Sequence, residues 1–421
     1  MARTVPVDVE SIEIGRRARR IRRRRGLSLD VVAGLAGFSK SYLSMLEKGQ
    51  RGFHRRGLVE DLARTLGCSV TDLTGQPYLP VDRDTADALA AVPGIQVALH
   101  DYGPDDVPDV RPRPLDELIA WAQTADGHID QAWFSLAGRD LGTLITELQA
   151  HALTTGSADR TRAFTALIMA CIVAGQVAKN VGNSDLAVIA ATRAYGLARS
   201  HDDPGLLGFA CYSRGLQLIW LGARTRATAT LTDGIDQVTP AVRLSAENTL
   251  SAEMLGMMHL TQALTAAHEK RSDDAHAHFA EATQLATRLG ERNGMGRHFG
   301  PTNVALWRLG AGIELGEGVR AYEDLTRAQL DVPALGSRER CGALHLDAAR
   351  ALMQDGPDRH AEVIRHLDTA DRLAPQRTRR HPIARGLVID LDRRTRRRVW
   401  ELDSLCNRFG IGVSGSQRVK N

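Results

Sequence analysis

The pattern of apolar and polar residues over positions 11–75 predicts five short helices around one small core. Ile14, Ala18 and Ile21 recur at intervals of four and three residues, which places them on one face of a helix. The leucines between positions 58 and 66 recur at intervals of four, with the same consequence. A complete, all-helical domain is therefore expected within residues 1–75.

Residues 27–49 carry the signals of two short helices joined by a tight turn. Ser28 and Ser39 each stand where a helix would begin, and serine is a favoured N-cap residue. Gly37 supplies a residue that adopts a positive φ without strain, and Gly49 ends the second helix. This arrangement predicts a helix-turn-helix, whose second helix lies in the major groove of DNA.

Charge strengthens this prediction. Residues 1–80 carry 15 Lys and Arg against 8 Asp and Glu, a net charge of +7, whereas the whole chain is +4, which leaves −3 for residues 81–421. The side of the first helix opposite its apolar face holds Arg16, Arg19, Arg20, Arg23 and Arg24. Such a concentration favours contact with phosphates over the alternative, a merely solvated helix face. Three further arginines, Arg51, Arg55 and Arg56, follow the second helix of the motif and are expected to grip the DNA backbone.

The segment resembles the XRE family, the DNA-binding domain of the phage Cro and repressor proteins. The matching positions are Gly26-Leu27-Ser28, Ala33, Gly37, Ser39, Leu43, Glu47-Lys48-Gly49, Leu62-Ala63 and Leu66-Gly67. The resemblance implies base-edge contacts by Lys40, Ser41 and Met45, phosphate contacts by Ser39 and Tyr42, and Ser44 between them. It also implies a structural ion pair of Arg22 with Glu47. One departure is Leu29, which stands where the family usually has a glutamine in contact with DNA.

The rest of the chain predicts a linker followed by helical repeats. Pro and Gly recur over residues 76–114, interrupted by one helix from about Asp84 to Ala91. From Leu115 the pattern is helical, and helices that follow turns begin near 184, 224, 272, 318 and 358, at intervals of 40, 48, 46 and 40. Such a period indicates paired-helix repeats. We therefore expect an all-α protein, with a repeat domain over 115–410 that senses an effector and dimerises, and a disordered tail over 411–421.

The repeats are similar to tetratricopeptide units, in which stacked helix pairs form a superhelix with a concave surface. Ala275, Phe279 and Ala282 fit the small-bulky-small spacing of the second helix. An XRE domain followed by such repeats resembles the RRNPP peptide-sensing regulators of Gram-positive bacteria, which implies quorum sensing by a bacterial homodimer. The segment 299–307 also resembles actinobacterial XRE regulators of this build.

An effector site is predicted near that segment. Pro301 favours a helix start, and Asn303 and Trp307 then fall on one face. The Asn amide both donates and accepts hydrogen bonds, and Arg297 and His298 could meet a carboxylate. The alternative, in which Asn303 satisfies a nearby turn and Trp307 is core, stays open. So does a repeat domain that is a protein-interaction scaffold with no small effector.

Other function classes lack support in the sequence. We find no Gly-rich phosphate loop, nucleophile elbow or His-Glu-x-x-His motif, so neither an enzyme nor a cofactor is expected. His276 and His278 diverge on a helix, so no metal site is expected. The most apolar run, Phe164 to Ala178, predicts a buried helix and no membrane contact. The N-terminus has no signal peptide and the five cysteines are scattered, which favours a cytoplasmic protein.

Overall fold

The computed structural model describes residues 9–76, 83–242, 249–394 and 399–411, and these residues form helices and connecting loops with no β-strand. The chain is all-α, as its periodicity predicts. Contacts divide it into two units: Met1–Tyr78 with Leu309–Gln329 and Cys341–Asn421 is the first, and Leu79–Arg308 with Leu330–Arg340 is the second. The predicted repeat region, 115–410, contributes to both. The predicted tail lies outside the described residues, apart from position 411.

The first unit contains the five N-terminal helices and the C-terminal ones. The N-terminal helices are α1 (Val9–Arg24), α2 (Leu29–Leu35), α3 (Lys40–Glu47), α4 (Arg56–Leu66) and α5 (Val70–Thr74). The others are α17 (Gly318–Arg327), α18 (Arg338–Asp355), α19 (His360–Leu373), α20 (Pro375–Thr378), α21 (Pro382–Arg394) and α22 (Trp400–Arg408), of which α18 starts in the second unit.

The second unit contains the helices between them. These are α6 (Arg83–His100), α7 (Leu115–Asp130), α8 (Phe134–Gly138), α9 (Leu141–Thr154), α10 (Ser157–Asn180), α11 (Ser184–Arg199), α12 (Pro204–Leu221), α13 (Arg224–Val238), α14 (Leu250–His268), α15 (Ser272–Leu289) and α16 (Pro301–Leu315). Helix α16 continues from the second unit into the first at Leu309.

The predicted apolar faces form the core of the N-terminal helices. Ile14 and Ala18 of α1 are buried, and Ile21 packs against the same cluster. Leu62 of α4 and Leu73 of α5 are each 1% exposed or less. Because burying a leucine contributes roughly 1.5–3 kcal/mol, this shared cluster holds the five short helices together.

The helices that follow turns begin close to where the sequence places them. Helices α11, α13, α15 and α17 start at Ser184, Arg224, Ser272 and Gly318, and α19 starts at His360. Each of the pairs α10–α11, α12–α13 and α14–α15 packs as a helical hairpin within the second unit. In α15 the predicted inward residues Ala275, Phe279 and Ala282 are buried.

The helix predicted inside the linker is longer than expected. Helix α6 runs from Arg83 to His100 and passes through Pro93, where the sequence indicates a break. A Cβ atom on Gly142 of α9 would lie 2.3 Å from the Gly94 carbonyl oxygen, so the backbones approach closely at this point. Tertiary packing of α6 on α9 therefore carries the helix past its proline. The predicted break points Pro77 and Pro80 lie outside the described residues.

The longest helix, α10, is buried. It is the one helix in the described residues that is long and apolar enough to span a membrane, and 72% of its apolar window is buried in the fold. Ile168, Cys171 and Val173 are each fully enclosed. Its composition is that of a core helix surrounded by other helices.

Candidate nucleic-acid interface

The turn between α2 and α3 is built from the capping residues that the sequence predicts. The Ser28 hydroxyl accepts a hydrogen bond from the Val31 N–H at 3.2 Å, and the Ser39 hydroxyl accepts one from the Tyr42 N–H at 3.1 Å. Gly37 adopts φ 70°, in the left-handed region that glycine tolerates best. These local contacts fix where α3 begins, and so where its first residues point.

Helix α3 has one buried and one accessible side. Leu43 and Leu46 are fully buried against the core. The residues predicted to contact DNA lie opposite: Ser39, Lys40 and Ser41 are exposed, and Tyr42, Ser44 and Met45 are half-buried. The Lys40 ammonium lies 2.8 Å from the Asp30 carboxylate of α2, and both side chains are more than half exposed. A charge that remains so accessible can exchange this partner for another.

The ion pair of Arg22 and Glu47 is present and buried. Arg22 donates from Nε at 2.5 Å and from Nη2 at 2.8 Å to the two carboxylate oxygens of Glu47, and from Nη1 to the Leu27 carbonyl oxygen at 2.8 Å. The hydrogen bond to Glu47 raises the pKa of Arg22. Only 10% of the Arg22 side chain and 4% of the Glu47 side chain are exposed. The pair therefore links α1 to the end of α3 and is not a surface for DNA.

Most of the other arginines of α1 are accessible, whereas the half-buried Arg17 donates to the Leu73 carbonyl oxygen at 3.1 Å. Within the described residues, four of them make no ion pair and no side-chain hydrogen bond, and all four are exposed: Arg19, Arg20, Arg23 and Arg24. By contrast, Arg16 pairs with Glu13 at 2.7 Å and Arg25 donates to the Gly67 carbonyl oxygen at 2.5 Å. The four unoccupied guanidinium groups form a cationic surface on one side of α1, which we call the α1 basic face.

The arginines after α3 do not share one environment. Arg51 is exposed, as a phosphate contact requires. Arg55 is half-buried and lies 3.5 Å from the backbone oxygen of Glu314. Arg56 pairs with Glu60 at 3.1 Å, only 12% of its side chain is exposed, and burial lowers its pKa. The guanidinium of Arg56 is therefore used inside the protein, for which the sequence offers no signal.

Two of the predicted effector residues are engaged with aspartates within the second unit. The Arg297 guanidinium pairs with Asp126 of α7 and lies 5.4 Å from the centre of the Phe209 ring. The His298 Nε2 atom lies 2.8 Å from the Asp130 carboxylate. Burial raises the pKa of Asp130, but hydrogen bonds from His298 and Ser337 outweigh it, so the pKa is lowered overall. A ligand carboxylate would have to displace these aspartates.

The other two predicted effector residues lie one turn apart on α16. Asn303 is fully buried, and its Nδ2 atom donates to the Arg297 carbonyl oxygen at 3.2 Å. Trp307 is half-buried. Within the described part of the chain, neither the Asn303 Oδ1 atom nor the Trp307 Nε1 atom has a hydrogen-bond partner, although both atoms are buried. Buried polar atoms without partners are uncommon, and these two are one acceptor and one donor.

Two histidine pairs were missed in the sequence because their members are about twenty residues apart. The first joins α14 to α15, with 3.0 Å between the Nδ1 atoms of His259 and His278. Burial and the neighbouring His278 lower the pKa of His259 to about 4. No group of three or more His, Cys, Asp or Glu among the described residues is placed to hold a metal ion.

The second pair belongs to a hydrogen-bonded chain in the first unit. The Tyr322 hydroxyl donates to the Glu362 carboxylate at 2.8 Å, so its oxygen accepts from the Nε2–H of His366 at 3.1 Å. With that proton on Nε2, the Nδ1 atom of neutral His366 accepts from the Nδ1–H of His345 at 2.8 Å. Helices α17, α18 and α19 are thus joined by one oriented chain.

Comparisons with known proteins bear on the N-terminal region above all. A family model described as a helix-turn-helix domain matches residues 13–74. No curated protein matches the chain. Among solved structures, the crystal structure of the PrgX/iCF10 complex is similar at 10% sequence identity with a TM-score of 0.34, over 87% of this chain and 98% of that one. The chain therefore carries a helix-turn-helix domain, formed by α1 to α5.

Proposed function

We propose that the protein is a cytoplasmic, sequence-specific DNA-binding transcription regulator. The observation that carries this proposal is that the start of α3 and the α1 basic face are both accessible, in the segment that matches a helix-turn-helix domain. In this proposal α3 enters the major groove, where Lys40 donates to guanine O6 or N7. The arginines of the α1 basic face and Arg51 neutralise phosphates.

Binding to DNA of mixed sequence tests the electrostatic part of the proposal. Fluorescence anisotropy of a labelled duplex, repeated at several salt concentrations, should give an affinity that falls linearly with the logarithm of salt concentration. Mapping of bound sites across the host genome should then give a shared inverted repeat. The proposal is wrong if the full-length protein binds no duplex at low salt.

Specific control of a gene by this domain requires two copies. One helix-turn-helix reads only a few base pairs, so we propose a homodimer on a palindromic operator, with half-sites about 10 bp apart or a multiple of that spacing. Light scattering at micromolar concentration, with and without the operator, measures the assembly. A monomer under both conditions would contradict the dimer without affecting the proposal of DNA binding.

We further propose that a peptide or a small signalling molecule modulates this activity from α16. The buried Asn303 Oδ1 accepts and the Trp307 Nε1–H donates, and both lack partners within the described residues. A peptide group offers the matching donor and acceptor. Arg297 is not a ligand contact in this proposed site, because its guanidinium is already paired with Asp126.

Two variants separate this site from a structural role. Trp307→Phe keeps an aromatic ring, although a smaller one, and removes the unpartnered N–H. Trp133→Phe is the matched control on an exposed tryptophan of the second unit. Thermal shift with an extract of spent culture medium should stabilise the wild type and Trp133→Phe, and stabilise Trp307→Phe less. Arg297→Ala is unsuitable, because it would leave Asp126 buried without its cation.

A repeat region that only binds other proteins is the second candidate. The internal pairing of Arg297 and His298 favours it, because both side chains are already occupied by aspartates and are not presented to a ligand. Under this candidate the extract stabilises no form of the protein. Affinity capture by the full chain should instead yield a stoichiometric protein partner.

A further inference from the structure

The first turn of α4 is capped by a residue far away in the sequence. The N-cap residue Arg55 makes no side-chain capping bond. Instead, the Glu314 carboxylate of α16 accepts from the Arg56 N–H and from the Gly57 N–H, each at 3.2 Å. The first N–H groups of a helix need acceptors, and a negative charge is favoured at that end of the helix dipole. Glu314 supplies both to α4.

Glu314 is itself held in place. It is 4% exposed, and Arg350 of α18 donates to its Oε1 atom at 2.6 Å. A second donor of Arg350 binds Asp347 at 2.7 Å. A buried carboxylate with both a cation and two backbone donors is strongly fixed, because loss of any partner leaves charge buried without compensation.

The capped turn lies at the end of the loop that joins α3 to α4. That loop starts after Glu47 and carries Arg51 and Arg55, and it ends at the first turn of α4. Arg55 lies near the backbone oxygen of the same Glu314, at 3.5 Å. The direction in which the loop presents its arginines therefore depends on the position of α16.

We infer that Glu314 is a positioning residue for DNA binding. Through Glu314, helix α16 fixes the position of the arginine-bearing loop between α3 and α4. The inference rests on the proposed function. The same helix begins at Pro301 and carries Asn303 and Trp307 in its first half. A ligand that shifts α16 thus changes DNA affinity through Glu314 without touching the helix-turn-helix itself.

The test compares two variants of the full-length chain. Glu314→Gln removes the charge at nearly constant shape, and Glu323→Gln of α17 removes the same charge from an exposed site as the matched control. Hydrogen exchange over residues 55–66 and anisotropy of a mixed-sequence duplex at several salt concentrations are the two measurements. We expect exchange at Arg56 and Gly57 to rise about tenfold or more in Glu314→Gln, because glutamine has one acceptor oxygen in place of two and no charge, so the first turn loses at least one of its two capping bonds.

Duplex binding distinguishes positioning from stability alone. We expect Glu314→Gln to reduce the salt slope by about one unit, since one arginine loses its phosphate. In that background Arg51→Ala should change the slope less than it does in the wild type. Glu323→Gln should alter neither measurement. If Glu314→Gln does not fold by circular dichroism, Glu314→Asp replaces it, because it keeps the charge for Arg350 but is too short for both N–H groups.

Each outcome is decisive. Unchanged exchange at residues 55–57 overturns the capping role, and altered exchange with unchanged affinity and slope overturns the positioning role. If the wild type binds no duplex, the proposed function fails, whereas the exchange measurement still reports whether Glu314 caps α4.

Discussion

Removal of Arg22 should destabilise the helix-turn-helix domain, because it leaves the buried carboxylate of Glu47 without its cation. Arg22 makes two hydrogen bonds to Glu47 and one to Leu27, and the pair is almost fully enclosed. Breaking one side of such a pair costs about 3–5 kcal/mol. At about 1.4 kcal/mol for each factor of ten, we expect local protection against hydrogen exchange to fall about 10²- to 4 × 10³-fold in the Arg22→Met variant.

Hydrogen exchange of the full-length protein is the suitable assay, since it reports opening of one region without requiring the whole chain to unfold together. Peptides from α1 and α3 should exchange faster in Arg22→Met, while peptides from α10 should not change. Arg23→Met is the matched control, because Arg23 is exposed on the same helix.

A double variant separates two free energies: the cost of leaving Glu47 buried without a cation, and the net contribution of the ion pair to stability. In Arg22→Met with Glu47→Met both charges are gone, and apolar replacements of buried pairs are often neutral or stabilising. Protection should return to within about tenfold of the wild type, the remainder being the lost bond to Leu27, worth about 1 kcal/mol. Protection in Arg22→Met within threefold of the wild type would refute the reasoning, as would a double variant no better than the single one.

Three further predictions concern DNA and pH. Lys40→Ala should cost about 1–3 kcal/mol and flatten the preference at one position of each half-site in a binding-site selection, whereas an equal loss on every sequence would mean that Lys40 touches only phosphate. Alanine at each of the four arginines of the α1 basic face should reduce the salt slope of DNA binding by about one unit per contacted phosphate. Arg64→Ala, which removes an exposed arginine of α4, should leave the slope unchanged. An unchanged slope in the quadruple variant would show that this face is only solvated. Burial and the neighbouring His345 lower the pKa of His366 to about 4 from 6.5, so the neutral form is the one that stabilises the fold. That stability is complete above about pH 6.5 and is lost as the pH falls toward 4. Exchange in α18 and α19, corrected for its intrinsic pH dependence, should rise between about pH 7 and 5 in the wild type and rise less in His366→Gln, in which burial still lowers the pKa of His345 and of His360.

The sequence by itself determined the elements whose signals are local. The start of α3 follows from Ser39, which caps the helix with its own hydroxyl three residues away. The inward faces of α1 and α4 follow from helical periodicity, because a buried stripe must recur every three or four residues. The starts of α11, α13, α15 and α17 follow from turn residues beside them. The expected partner of Arg22 came from the family resemblance, and the two side chains lie 2.5 Å apart in the structure.

The tertiary structure decided everything that depends on residues distant in the chain. Helix α6 continues through Pro93 because α9 packs beside it, which no local propensity shows. The arginine-rich stretch beyond Arg377 is used within the fold at two positions: Arg379 binds the buried Asp371, and Arg385 donates to the Phe409 carbonyl oxygen.

The same holds for the residues of the candidate site. A sequence shows that Arg51 and Arg56 are both cations, but only the fold shows that Arg56 is enclosed with Glu60 while Arg51 is exposed. Glu314 caps α4 across more than 250 positions. The sequence around a carboxylate does not predict its partner. The partner depends on which helices pack together, and that packing depends on the whole core.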